Sequence, residues 1–302
     1  MSKSTIRKKV KSAMKKKAKS AIKNKGKSAA KSSVKSAARS RVKSSAAGRA
    51  GSAAKKKPRS AVKRKAAAPV KTKSALRFEI DGKACKARAG QTILDAARDN
   101  GIYIPVLCFY KGMKPAGICR MCTVKVGGRN MAACTTPVAE GMIIENAIPE
   151  LEDMRKAMVE MLFVEGNHMC PTCEKSGNCD LQALGYRYQL LAPRFPYMFP
   201  QRNIDATYSK IMIDNNRCVQ CRRCVRGITT KDGRNIFAMT KRSGKSTIVA
   251  DRELEAKMPD DLARKAMDQC PVGAILKKEV GFAVPIGKRK YDAKPIGSEI
   301  HN

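Results

Sequence analysis

Cysteine is the residue type in this chain best placed to do chemistry. Eleven of the twelve cysteines fall into three sets between residues 108 and 270. The first set is Cys108, Cys119, Cys122 and Cys134, spaced C-x10-C-x2-C-x11-C. The second is Cys170, Cys173 and Cys179, with His168 just upstream. The third is Cys218, Cys221 and Cys224 on a C-x2-C-x2-C loop, joined by a distant Cys270 followed by Pro271. Thiolates at such spacings hold iron–sulfur clusters, whose potentials follow cluster type, hydrogen bonding and exposure. Three clusters on one chain suit the passage of single electrons between partners. Zinc is the competing reading, but zinc sites usually join two close pairs of ligands. The first set has one close pair only, Cys119 and Cys122. In the third, three thiolates on one tight loop suit a cubane better than a tetrahedral ion. Cys85 is left over and reads as a small buried hydrophobe.

Other chemistries find little support. No G-x-G-x-x-G or Walker-type loop is present, so no resident nucleotide site is expected. No Ser–His–Asp or paired-carboxylate constellation stands out, and no catalytic residue is assigned. Disulfides are not expected either, because no apolar signal segment precedes the cysteines and C-x-x-C loops are too small to staple a core. Clustered cysteines without a secretion signal point to a reduced, cytoplasmic metal protein. No run approaches the length of a membrane span.

The elements around these cysteines can be read in outline. Leu76–Ile80 and Lys83–Arg88 alternate about Asp81-Gly82, a hairpin signal. Thr92 caps a helix running to Asn100, with Gly101 as its stop. Cys122–Val126 and Asn130–Thr135 read as strands about Gly127-Gly128. Together these give a β-grasp outline. Pro149–Val164 reads as an amphipathic helix with Leu151, Met154, Ala157, Met158, Met161 and Leu162 on one face. The expected class is α+β. A β-grasp [2Fe–2S] domain would fill 76–149 and a small helical His/Cys [4Fe–4S] segment 150–192. A ferredoxin-like [4Fe–4S] domain with a C-terminal extension would fill 193–302.

Charge divides the chain. Residues 1–75 carry 27 Lys or Arg and no acid, so +27 of the formal +38 lies there. They are Lys, Ala and Ser with almost no aromatics, which makes a disordered tail the expectation. Serines recur every eight residues from Ser4 to Ser60. Eight residues do not close an integral number of helical turns, so the repeat builds no single helix face. In composition the tail resembles linker-histone and bacterial histone-like tails. Such a polycation binds nucleic acid or anionic lipid through counterion release, without sequence preference.

The cysteine segments resemble known families. Gly117-Ile118-Cys119-Arg120-Met121-Cys122 is similar to the loop of plant-type [2Fe–2S] ferredoxins. It is closer still to the variant in the complex I 75-kilodalton subunit and iron-only hydrogenases. The resemblance implies a [2Fe–2S] cluster on Cys108, Cys119, Cys122 and Cys134, with Gly117 and Arg120 in the binding loop. Cys170–Gln182 resembles the His-ligated [4Fe–4S] segment of complex I, whose ligands run His-x3-Cys-x2-Cys-x5-Cys. Here the histidine stands at His-x-Cys, but three cysteines need a fourth ligand and the only other histidine is His301. His168 is therefore grouped with Cys170, Cys173 and Cys179. In bacterial ferredoxins the C-x2-C-x2-C run continues to a Cys that serves a second cluster. Ile228 stands at that position, so one [4Fe–4S] cluster is expected on Cys218, Cys221, Cys224 and Cys270.

All three motifs occur in this order in the complex I subunit, in iron-only hydrogenases and in the small diaphorase subunit of NAD-reducing hydrogenases. Only 32 residues follow Cys270, and Val280–Tyr291 looks like the end of that diaphorase subunit. The resemblance implies an electron relay between an FMN- and NAD-binding diaphorase subunit and the small and large subunits of a nickel–iron hydrogenase. Two other readings stay open. One is a relay in a complex I-like or NAD-dependent formate dehydrogenase assembly. The other is a nucleic-acid-associated redox sensor anchored by its tail.

Overall fold

A computed structural model of the chain describes residues 75–242 and 245–300. The basic segment 1–75 lies outside them except for Ala75, and so does His301.

Strands β1 (Leu76–Ile80) and β2 (Lys83–Ala87) form the expected hairpin. Their alternation places Phe78, Ile80, Cys85 and Ala87 in the core, and Cys85 is buried as a hydrophobe would be. Asp81 and Gly82 both take left-handed φ, 49° and 77°, which a two-residue hairpin turn requires. Helix α1 (Ile93–Asp99) starts at Thr92, whose hydroxyl accepts the Asp95 N–H at 3.2 Å. Strands β3 (Thr123–Val126) and β4 (Arg129–Ala132) pair about Gly127-Gly128. β4 is shorter than its sequence suggests. The Thr135 and Thr136 N–H groups turn back to the Ala132 carbonyl at 3.0 and 3.1 Å, which takes Cys134 out of the strand. β5 (Ile143–Glu145) inserts between β1 and β3, parallel to the former and antiparallel to the latter. The sheet order β2-β1-β5-β3-β4, with α1 packed on it, is a β-grasp.

Helix α2 (Pro149–Glu165) forms where expected, but its buried face differs. Leu151, Arg155, Val159, Glu160 and Val164 are buried, while Met161 is 44% exposed. Arg155 offsets the cost of its burial through its two Nη groups, which are both bonded, while Nε has no partner among the described residues. It reaches the Thr123 carbonyl at 2.7 Å, the Asn146 carbonyl at 2.9 Å, Asn146 Oδ1 at 2.8 Å and Glu152 at 2.7 Å. Glu160 accepts Arg194 Nε at 2.7 Å. The helix thus uses an arginine to tie itself to the strands of the first domain. Met158 and Leu162 pack only at the edge of the apolar cluster.

A 3₁₀ turn (Cys170–Thr172) and helix α3 (Asp180–Arg187) follow. The last region has a three-stranded antiparallel sheet, β10-β7-β6, from β6 (Ile204–Asp205), β7 (Ile211–Asp214) and β10 (Ile275–Lys277). A second hairpin joins β8 (Phe237–Thr240) and β9 (Thr247–Ala250). Helices α4 (Arg223–Gly227), α5 (Arg252–Ala256) and α6 (Asp260–Gln269) complete an α+β fold. Glu255 anchors α5, its buried carboxylate accepting the N–H groups of Ser209, Lys210 and Ile211 at 2.7–3.1 Å. One apolar cluster fills the β-grasp. The other runs from Leu107 and Met121 to Val159, Cys179, Cys224 and Cys270, so it touches all three cysteine regions. Among the described residues no helix is long and apolar enough to cross a membrane.

Candidate iron–sulfur centres

The first cysteine set sits in the loops that leave and re-enter the β-grasp. Cys108 N–H donates to Cys119 Sγ at 3.3 Å and Cys119 N–H to Cys108 Sγ at 3.4 Å, so the two sulfurs lie side by side. Ala133 N–H bonds the Cys122 carbonyl at 3.0 Å, bringing Cys134 against Cys122. The hydrogen bond from Cys119 lowers the Cys108 pKa, and the same bond raises that of Cys119. The bond from Cys122 lowers the Cys134 pKa, with the Gly117 N–H assisting, and raises that of Cys122. Gly117 (φ 63°) and Arg120 (φ 58°) both take left-handed backbone, which lets the loop curl so that its N–H groups face the sulfurs. The Arg120 carbonyl, in turn, accepts the Thr123 N–H at 3.0 Å and starts β3.

The second set is brought together as the sequence suggests. His168, Cys170, Cys173 and Cys179 line one small cavity with Ser176, Gln182, Arg217 and Gly273. Burial lowers the His168 pKa to about 4, so its imidazole is neutral and able to ligate. The ring packs edge-on against Phe163 at 5.4 Å. A side chain at Gly166 would collide with its Nε2, so glycine there leaves the imidazole room. Cys179 also caps α3, its Sγ accepting the Gln182 N–H at 3.4 Å. Gly273 closes the cradle from the far side, where an added methyl group would strike Cys173 Sγ.

The third set lines an apolar cavity with Ile213, Val219, Ile248, Val272, Ala274 and Ile275. Gln220 (φ 52°) and Arg222 (φ 58°) hold the left-handed turns that point three successive cysteines one way before α4 begins. Burial pushes Cys218 up to about 11 and Cys221 up to about 12, with the charge of Cys270 adding to both. Cys224 rises further for the same reasons. Free thiolates are unfavourable here, and a positive metal centre would offset that cost.

The residues fit iron–sulfur groups on three counts. Four ligand-type side chains surround each of the second and third cavities. Backbone N–H groups donate to sulfur in the first and second sites. Glycine stands where a Cβ would fill the second cradle.

The structure also joins the sites through residues that motif spacing did not single out. Arg226, on α4 with Cys224, donates to the Cys108 carbonyl at 2.6 Å and the Lys114 carbonyl at 2.9 Å. Arg217, next to Cys218, donates Nη1 to Cys173 Sγ at 3.5 Å. Asp180 N–H bonds the Pro271 carbonyl at 2.8 Å, and buried Lys175 bonds the Met267 carbonyl at 2.7 Å. Arg223 pairs with Asp180 at 2.9 Å. Residues beside the third site therefore contact both of the others. The one sequence hint was the basic flanking of the C-x2-C-x2-C loop by Arg217, Arg222, Arg223 and Arg226.

A β-grasp domain carrying four thiols, followed by two further thiol cradles on an α+β body, defines a multi-domain iron–sulfur protein of the electron-transfer class. Residues 73–148 match the 2Fe-2S iron-sulfur cluster binding domain family. Residues 155–194 match the NADH-ubiquinone oxidoreductase-G iron-sulfur binding region. Residues 209–276 match the ferredoxin-like domain of NADH-quinone oxidoreductase subunit 3. The chain is 48% identical to the gamma subunit of the NAD-reducing hydrogenase HoxS of Cupriavidus necator, over 74% of this chain and 95% of that protein. It is 32% identical to the mitochondrial 78 kDa subunit of NADH-ubiquinone oxidoreductase of Neurospora crassa, over 67% of this chain but only 28% of that longer protein. A crystal structure of an NAD+-reducing [NiFe]-hydrogenase in the H2-reduced state contains a similar chain. That match has a TM-score of 0.68 and 38% identity, and covers 74% of this chain and 95% of that one. The protein belongs to the family of NAD-reducing hydrogenase gamma subunits.

Proposed function

We propose that this chain is the iron–sulfur relay subunit of an NAD-reducing nickel–iron hydrogenase. It carries single electrons between an FMN- and NAD-binding diaphorase subunit and the hydrogenase small and large subunits. In this reading Cys108, Cys119, Cys122 and Cys134 hold a [2Fe–2S] cluster. His168, Cys170, Cys173 and Cys179 hold one [4Fe–4S] cluster, and Cys218, Cys221, Cys224 and Cys270 hold another. When bound, such clusters supply one-electron chemistry that no side chain here offers. The work of the residues is to hold, space and insulate. The apolar walls around Cys224 and Cys270 exclude water, and the backbone N–H groups of Cys108, Cys119 and Gln182 stabilise charge on sulfur. NAD and FMN chemistry belongs to the partner, and this chain contributes no catalytic residue.

The observation that carries the reading is the contiguity of the three sites, each linked to the next by an arginine. Identity of 48% across nearly the whole HoxS gamma subunit favours the hydrogenase over a complex I-like assembly, whose subunit matches only in part. The test is Cys221→Ser in the assembled complex. Hydrogen-dependent NAD+ reduction is expected to fall to background. Hydrogen–dye and NADH–dye activities, which bypass the relay, are expected to persist. Retained hydrogen-dependent NAD+ reduction would count against the relay.

A further inference from the structure

Arg217 stands between two of the sites. It directly precedes Cys218 of the third, yet its guanidinium turns toward the second. Nη1 donates to Cys173 Sγ at 3.5 Å, and the side chain lines the cavity shared by His168, Cys170, Cys173 and Cys179. Nε is pinned by Asp214 Oδ2 at 3.0 Å. That carboxylate is itself buried and held by the Asn216 N–H at 2.9 Å. The Arg217 side chain is only 16% exposed. Among the described residues it is the one charged side chain that donates a hydrogen bond to a cysteine sulfur; the other donors are backbone N–H groups and neighbouring thiols.

We propose that Arg217 is a positioning residue that sets the reduction equilibrium at the His168–Cys170–Cys173–Cys179 site, and with it the downhill direction between the two [4Fe–4S] sites. The proposal rests on the ligand assignment given above. Reduction brings one electron from the neighbouring site and adds one negative charge, shared over the sulfurs, with no bond made or broken. A charged N–H donor strengthens its bond as that charge grows, and burial limits screening. Asp214 fixes the fork so that Nη1 is already aimed at sulfur before the electron arrives. Arg217 therefore favours the reduced form there, and its removal makes that site harder to reduce.

The experiment uses the assembled complex carrying Arg217→Gln or Arg217→Lys, with iron content measured first. Midpoints are then read by redox titration under electron paramagnetic resonance. The second-site signal is identified by hyperfine coupling to an imidazole nitrogen. Arg217→Gln is expected to weaken reduction at that site about tenfold, which is about 59 mV for one electron. Arg217→Lys keeps the charge without the fork, so a smaller shift in the same direction is expected. The [2Fe–2S] midpoint is expected to stay unchanged. Full iron content with a wild-type midpoint in Arg217→Gln overturns the proposal. Loss of second-site iron in both variants also overturns it, because the role would then be structural. A wild-type complex without an imidazole-coupled signal overturns the ligand assignment itself, and the proposal with it.

Discussion

A methyl group at Gly273 would collide with Cys173 Sγ, with Lys175 and Arg217 packed on the same side. Overpacking of this kind costs about 1–3 kcal/mol where neighbours cannot move. Gly273→Ala is therefore expected to deplete second-site iron while leaving the [2Fe–2S] signal intact, as iron analysis and electron paramagnetic resonance would show. Normal iron at both [4Fe–4S] sites would mean the cradle is looser than its geometry implies. The place of His168 beside Cys170, Cys173 and Cys179 was expected from the sequence, because three neighbouring cysteines lacked a fourth ligand. Gly273 and Arg217 were not. Each meets Cys173 across more than forty positions of sequence, a distance at which local pattern carries no signal. Gly117 and Arg120 were singled out by a local motif, and both take left-handed backbone within its six-residue loop.

Helix α2 shows where pattern reading fails at the level of an element. Its limits were legible to within a residue, since Pro149 and Gly166 mark its ends. Its face was not, because periodicity counts arginine as solvent-facing while Arg155 is buried among four acceptors. Arg155→Met would leave the Thr123 and Asn146 carbonyls without that donor. The cost is about 2 kcal/mol, expected as a drop of about 6 °C in thermal midpoint. An unchanged midpoint would show that water replaces the guanidinium. Arg226 works between elements, tying α4 to the Cys108 loop. Arg226→Ala is expected to loosen the first domain from the rest. Limited proteolysis should then cut faster within the Cys108–Cys119 loop while the [4Fe–4S] signals persist. The β-grasp hairpins were legible because Asp81-Gly82 and Gly127-Gly128 demand left-handed turns. The insertion of β5 between β1 and β3 was not, since nothing in a three-residue strand states its partner.

Across the whole molecule, the third cysteine set is joined to both the first and the second, which neither motif order nor spacing reveals. The contacts run through Arg226, Arg217, Asp180 and Lys175. The basic segment carries +27 and lies outside the described residues. We propose that it binds polyanions. Deleting residues 1–74 is expected to abolish DNA binding that weakens steeply with salt, and to leave hydrogen-dependent NAD+ reduction unchanged. DNA binding by the full chain that changes with cluster oxidation would favour a redox sensor instead. The central claim, that this chain wires hydrogen to NAD, has a direct test. The complex is purified natively without oxygen, then reduced in parallel with hydrogen gas or with NADH and examined by electron paramagnetic resonance. The account predicts that hydrogen alone produces the reduced [2Fe–2S] and [4Fe–4S] signals of this subunit, as NADH does. Reduction by NADH but not by hydrogen would contradict it and assign the chain to a different NAD-linked assembly.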